Sequence, residues 1–600
     1  MRGRDIVVMA ICLAMAAGLF WAAGAQLDYI NAQRHQMGLV VNEPLENAPP
    51  SLAFATVAMG AFRGLVVDIL WMRADKLKEE GQFFDAKQLA EWITTLQPRF
   101  AAVWEFHAWN MAYNISVAIP ASQPEQRWRW VKNGYELLRD KGIPTNPKAV
   151  QLYRELARIF QHKLGGVSDD AHKYYKLQLA EAIGPLLGSE DNHLSADDNA
   201  FYDALIAMPT EWARIAGDPN AAPFIEALQA IGEPFTGEQK FVQNYLALRR
   251  NTARFPQAAF DVVDRFRGTM ALQRFDLFAK AYELRNTWKL EPARMQQVSR
   301  EYGPIDFADP NVHLPLDWRH PDSHAIYWAL KGLSVAKENK DPDAQRYETN
   351  TQRIVAHSLQ NLFRYGKIMI LNRPAKPLDQ EGPPDEAAAA IDKDVFLGPD
   401  LRMFNAYNKA ILDIIAGYED DRTTRESLEN GHRNMLKNAV LSFYQAGLKG
   451  EALRIYNRLR QRYPMNEFRV SLEQYVINRW REELESLGIH DAREQIAMLL
   501  TEGYYLYAIR DDDAAAGRDQ LAQQIYDHYN TTNEPEFRID LPPMSVLRYF
   551  ALGQFLNSGA YPEYIRLGLL NRIQIEKPEL YKQLEQTEVQ LRQMQEQGTP

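Results

Sequence analysis

The chain has 600 residues, 46% apolar and 24% charged, so wholesale disorder is excluded and a sizeable core can be buried. Lys and Arg total 68 against 78 Asp and Glu, a net charge of −10 with no basic field, which excludes nucleic acid as a partner. With a single cysteine, Cys12, there can be no intramolecular disulfide and no Cys-ligated zinc site.

Residues 1–27 read as a membrane signal anchor. Arg2 and Arg4 precede an uncharged run from Ile6 to Ala25, and twenty helical residues span roughly 30 Å of hydrocarbon. The flanking arginines, with Trp21 near the far end, predict a cytoplasmic N-terminus and an extracytoplasmic body. Ala23-Gly24-Ala25 also fits a signal-peptide cleavage site, although the apolar run is longer than a typical signal core. Residues 28–50 read as a polar spacer. A second membrane candidate, Leu52 to Met72, is interrupted by Arg63 and Asp68 and reads better as a buried helix behind the Pro49-Pro50-Ser51 cap. If it did span, the body would return to the cytoplasm.

From there on, apolar residues recur at three- and four-residue spacing, which predicts an all-α chain. Leu70 to Pro98 reads as one helix–turn–helix: Leu70, Ala74 and Leu77, a turn at Gly81, then Ala86, Leu89, Ala90 and Ile93, stopped by Pro98. Gly81 precedes Ala86 by five residues and Ala86 precedes Pro98 by twelve; Gly447, Ala452 and Pro464 repeat both intervals. Trp328, Gly332 and Ala344 carry some of the pattern, and Trp104 and Ala108 follow Leu70 and Ala74 by 34 residues. A helix pair of this kind cannot bury its apolar face alone, so stacked neighbours are implied.

This spacing resembles the tetratricopeptide repeat, within residues 66–170, 320–365 and 430–580. The resemblance implies a tetratricopeptide-like α-solenoid of helix-pair repeats behind an N-terminal transmembrane helix. It is degenerate: Val440 and Tyr564 stand where the pattern places small residues. The stretches Phe62–Leu65, Asp68–Trp71 and Trp104–Ser116 also resemble a family of membrane-anchored bacterial proteins with such repeats; that resemblance implies no activity. The organisation expected is N-terminal repeats over 51–185, a middle irregular helical region over 186–370 with a repeat near 320–365, a Pro-rich connection over 371–400, and C-terminal repeats with a capping helix over 401–598.

The residues best suited to binding lie in Trp104 to Ser116. Trp104, His107, Trp109, Asn110, Tyr113 and Asn114 share one predicted helix, with His107, Asn110 and Asn114 three and four apart. On a concave repeat surface, amides would bond a partner's backbone and rings would supply flat apolar area. The alternative is that the Trp residues are core and the Asn residues caps. Two His/Asp clusters are weaker. In the cluster of His313, Asp317, His320, Asp322 and His324, Asp322 or Ser323 is expected to cap the helix through Trp328, and His162, Asp169, Asp170 and His172 surround a Gly165-Gly166 loop. No HExxH, GxSxG, Walker-type loop or strand-linked GxGxxG occurs, so no catalytic residue, metal or cofactor is assigned. The reading is a non-enzymatic scaffold or adaptor for unknown envelope proteins, held to the membrane through residues 6–25. An α-helical envelope carbohydrate-active or lytic enzyme is the alternative.

Overall fold

The computed structural model describes residues 63–600 apart from 189–194, 196, 310, 339–341, 374–391, 419–420, 487–491, 533–540, 559–560 and 597–600, with a few positions between 14 and 33. The described chain is nearly all helical. Among the described residues no helix is long and apolar enough to cross a membrane. The expected anchor at 6–25 lies almost wholly outside them, as do residues 52–62 of the second candidate.

The chain forms two compact units, one of residues 1–118 with 132–152, the other of 119–131 with 153–600. In the smaller unit, α1 (Arg63–Glu79) and α2 (Phe83–Leu96) form an antiparallel pair, followed by α3 (Ala101–Trp109). Gly81, at φ 77°, closes α1. Its N–H donates to Lys78 O at 3.1 Å and that of Gln82 donates to Leu77 O at 2.8 Å, a Schellman ending whose left-handed residue favours glycine. In α2, Ala86, Leu89, Ala90, Ile93 and Leu96 are buried, one stripe at helical spacing. Ile93 and Leu96 join Val67 and Val103 in a core sealed by Trp71, which packs edge-on to Phe106 at 5.0 Å. Each such aliphatic side chain contributes about 1.5–3 kcal/mol by leaving water.

The larger unit includes α4 (His172–Ile183), α5 (Pro292–Tyr302), α6 (Pro321–Glu338) and α7 (Pro342–Tyr365). Between α4 and α5, Phe275 gathers Trp212, Phe224, Phe241 and Tyr245 at centroid distances of 4.9–6.2 Å. Next comes the departure from all-α. Strand β1 (Lys367–Arg373) pairs antiparallel with β2 (Asp392–Gly398), Lys367 opposite Gly398 and Arg373 opposite Asp392. The end of β1 and the whole of β2 fall within residues 371–400, the segment expected to be a Pro-rich connection. Because they pair within one unit, the chain on either side is tied together there. Buried Ile368, Val395 and Phe396 hold the ribbon down, and Lys367 Nζ reaches Asp511 Oδ1 at 2.9 Å.

Beyond the ribbon lie α8 (Phe404–Ala416), α9 (Arg422–Gln445), α10 (Lys449–Arg462), α11 (Ala492–Ala508) and α12 (Asp512–Thr532). The turn between α9 and α10 repeats that between α1 and α2. Gly447 has φ 76°, its N–H donates to Tyr444 O, and the N–H of Leu448 donates to Phe443 O, both at 3.0 Å. In both pairs the second helix has 14 residues and buries the alanine five positions after the glycine. Each also ends on a residue before proline whose N–H bonds back to the buried Ile93 or Leu459 carbonyl.

Candidate functional site

The segment singled out for binding is not one uniform α-helix. After α3 the backbone widens into a π-helical stretch, Asn110–Ile115, and recovers over Ser116–Ala118. Such π stretches are uncommon and concentrate at functional sites. The six singled-out residues divide. Trp104 is 7% exposed and donates its indole N–H to Pro98 O at 2.8 Å. Asn110 is fully buried and donates to Phe83 O at 3.0 Å, tying the π stretch to the start of α2. His107 is 2% exposed, and neither ring nitrogen has a hydrogen-bond partner. Burial first, then the charges of Lys87 and Lys141, lower its pKa to about 3, so the ring is neutral. These three present no surface to a partner.

The other three do. Trp109, Tyr113 and Asn114 are half-buried. Trp109 and Tyr113 stack at 6.1 Å with 26° between planes, and Asn114 donates to Asn110 Oδ1 at 2.9 Å. Val117, four residues beyond Tyr113, is 53% exposed, and so is Phe84 at 58%, beside the Phe83 carbonyl that Asn110 holds. Val117 and Phe84 carried no signal in the sequence, since an isolated apolar residue reads as core until its face is known.

The two His/Asp clusters meet inside the larger unit. Another π stretch, Ile159–Leu164, leads into Gly165-Gly166. Fully buried Lys176 on α4 donates to Leu164 O at 2.7 Å and Gly166 O at 2.9 Å. Asp322, in the first turn of α6, sits so close to the same loop that a Cβ on Gly165 would stand 2.3 Å from its Oδ2. Asn361 donates to Asp322 at 3.1 Å, and the Ser358 hydroxyl lies nearby. Burial drives the Asp322 carboxyl up, partly offset by those donors and by Lys176; burial likewise drives the Lys176 ammonium down, partly offset by Asp322. Sequence reasoning missed Lys176, Ser358 and Asn361, which lie far from the clusters along the chain.

Neither Asp322 nor Ser323 caps α6 in the manner expected. The Nδ1 of His320 accepts from the Asp322 N–H at 3.2 Å, while Ser323 Oγ donates to Asp317 O at 2.6 Å. With Nδ1 accepting, Nε2–H of His320 donates to Tyr365 O at 3.2 Å, and burial lowers its pKa to about 3. His324 donates to Trp318 O at 2.8 Å and stacks on Phe160 at 5.0 Å. Asp317 pairs with Arg319 at 2.7 Å, and the His313 Nδ1 lies 3.2 Å from Gly303 O. In the other cluster, Asp169 takes Lys163 at 2.5 Å, Arg127 at 3.3 Å and the Ala171 N–H at 2.9 Å. Trp128 stacks on Tyr175 at 6.0 Å beside it. Among the described residues no group of His, Cys, Asp or Glu is disposed to hold a metal ion. The joined cluster is a polar lattice in which the His320 and His324 rings and the Lys176 ammonium bond backbone while the carboxylates are taken up chiefly by Asn361, Arg319, Lys163 and Arg127. No protein-family model matches the chain, and no curated protein matches it significantly.

Proposed function

We propose that this chain is a membrane-anchored helical-repeat scaffold or adaptor that binds a segment of an envelope protein along the ridge of Trp109, Tyr113 and Val117. The observation that carries the reading is that ridge itself: a stacked Trp–Tyr pair followed by an exposed valine, with Phe84 exposed and the Asn114 amide alongside. Rigid aromatic rings supply contact area at low entropic cost, and Trp and Tyr dominate binding hot spots. The apolar run at 6–25 would fix the scaffold to the membrane, and the tetratricopeptide-like spacing would supply its helix pairs.

The test is a cross-linked pull-down from membranes with full-length protein. Replacing Trp109 and Tyr113 by Ala removes the ridge, whereas Ile575→Ala, at an exposed apolar residue elsewhere, is the control. The ridge variant should recover at least tenfold less of a reproducibly captured partner, with helical content unchanged. Equal recovery from ridge variant, control and wild type would overturn the assignment.

A further inference from the structure

The last three helices of the larger unit, α13 (Met544–Asn557), α14 (Glu563–Glu576) and α15 (Pro578–Glu596), leave between them a groove of ≈ 550 Å³, within the range of roughly 300–1,000 Å³ typical of small-molecule sites. Its floor is apolar: Leu552 and Leu584 are buried, and Leu556 and Leu570 line it beside them. Gly553 keeps the groove open. Glycine is unfavourable inside a helix, yet this one lies within α13, and a Cβ on it would meet nothing within 4 Å. A side chain there would strengthen the helix and take up part of the groove.

The rim is aromatic and acidic. Tyr549 and Phe550 meet edge to face at 5.8 Å, and Phe550 is 51% exposed. From α15, Tyr581, Leu584, Glu585 and Glu588 line the groove at spacings of three and four, which places them on one helix face. The charge of Glu585 pushes the Tyr581 phenol up and that of Glu588 adds to it, so both carboxylates act on one phenol oxygen. Among the described residues that line the groove there is no lysine or arginine. The described cations of these helices are turned elsewhere. Arg548 pairs with Asp519 at 3.0 Å, Arg572 with Asp512 at 2.8 Å and Lys582 with Glu579 at 3.3 Å, while Arg566 donates to the Leu556 and Tyr561 carbonyls.

Aromatic faces attract cations through the ring quadrupole, and carboxylates beside them add a direct charge of the same preference. We propose that this groove binds a small organic cation, an ammonium on an apolar body, the ammonium beside Glu585 and Glu588 at the aromatic rim and the body against Leu556, Leu570 and Leu584. An anion is disfavoured by the two carboxylates, and a neutral apolar molecule leaves them unused. This site is independent of the ridge on the smaller unit and stands whether or not that ridge binds a partner.

The test is a ligand-observed NMR titration on full-length protein in lipid nanodiscs, with empty nanodiscs subtracted. Hexyltrimethylammonium should bind saturably, hexanol at least tenfold more weakly, and hexanoate more weakly still. The double change Glu585→Gln/Glu588→Gln should weaken hexyltrimethylammonium at least fivefold and leave hexanol unchanged. Phe550→Leu, at an exposed ring, should likewise weaken the ammonium and spare hexanol, because it keeps apolar area and removes the π face. Gly553→Leu, which places a side chain in the groove without a clash at Cβ, should abolish binding of both with the melting temperature unchanged or higher. Equal affinity for hexyltrimethylammonium and hexanol, or ammonium binding that survives both the double glutamine change and Gly553→Leu, would overturn the site.

Discussion

The α1–α2 and α9–α10 pairs are built on the same local chemistry and held by different surroundings. Both turn on a left-handed glycine with the same two backbone bonds, and both bury the alanine five residues later. A Cβ on Gly81 would meet nothing within 4 Å, whereas one on Gly447 would lie 3.2 Å from Gln520 Oε1 on α12. Contact of that second pair with α12 is tightest one turn earlier, where Gly517 touches the last residue of α9: a Cβ there would stand 1.2 Å from Gln445 O. A turn can therefore be written locally, while its environment is set by a residue 70 positions away.

The largest test of that difference is Gly517→Ala. No rotamer relieves a clash between Cβ and a backbone carbonyl, so α12 must move off α9 at a cost of about 3 kcal/mol or more. Urea unfolding should show it, and a loss under about 1 kcal/mol would mean that α12 does not clamp the pair.

Next in size is acid sensitivity. Each region buries a neutral histidine: His107 in the smaller unit, and His432 on α9, whose ring nitrogens lie 2.8 Å from Tyr463 Oη and 2.9 Å from Asn408 Oδ1. Burial first and neighbouring cations second lower their pKa values to about 3 and about 4. Between the unfolded value near 6.5 and these folded values the unfolded chain binds more protons, so stability is full above about pH 6.5 and falls as pH drops. At about pH 5 each histidine should have removed about 2 kcal/mol. His107→Phe should flatten this dependence and leave stability at neutral pH unchanged or higher, because it deletes two unpaired buried nitrogens. His432→Phe should flatten it too but cost about 1–2 kcal/mol at neutral pH, because it leaves the buried Asn408 Oδ1 without the His432 ring, while Tyr463 keeps its bonds to Glu429 and Arg462. Identical effects of the two changes at neutral pH would erase the distinction.

A smaller effect is expected at the turn glycines. Gly81→Ala and Gly447→Ala should each cost about 1–2 kcal/mol from the left-handed backbone alone, with Gly447→Ala the larger. Smallest is a gain. Arg510 follows α11 at φ 70°, where its N–H donates to Tyr507 O and that of Asp511 donates to Leu506 O. This is the same turn with a side chain where the other two have none. Arg510→Gly should add about 1 kcal/mol in thermal melts, and no gain would mean that contacts of the Arg510 side chain offset its backbone strain.

Helix content and turn positions were legible because glycine, proline and helical spacing are short-range signals. The ribbon was not. Ile368 and Ile370 alternate, but the Pro-rich stretch after them masked a partner strand that begins nineteen positions beyond Arg373. In the candidate site, the segment 104–116 could be named from composition. Which of its residues face outward could not, because the π stretch shifts the helical phase after Asn110, and Asn110 is buried while Asn114, bonded to it, is half-exposed. The His/Asp clusters were visible separately; that they share one loop depends on tertiary packing around Gly165.

That packing also sets a timetable. Lys176 is desolvated by a loop that Asp322 closes from the other side, and Asp322 leaves the ribosome roughly 150 residues after Lys176. At about 5–20 residues per second, the lysine waits on the order of ten seconds for its surroundings. Until then its ammonium keeps its water and the Gly165-Gly166 loop lacks a lid, so this region of the larger unit is completed only once synthesis has passed the middle of the chain. Protease pulses on stalled chains should find the loop cleavable when synthesis stops before Asp322 and protected once α6 and α7 have emerged.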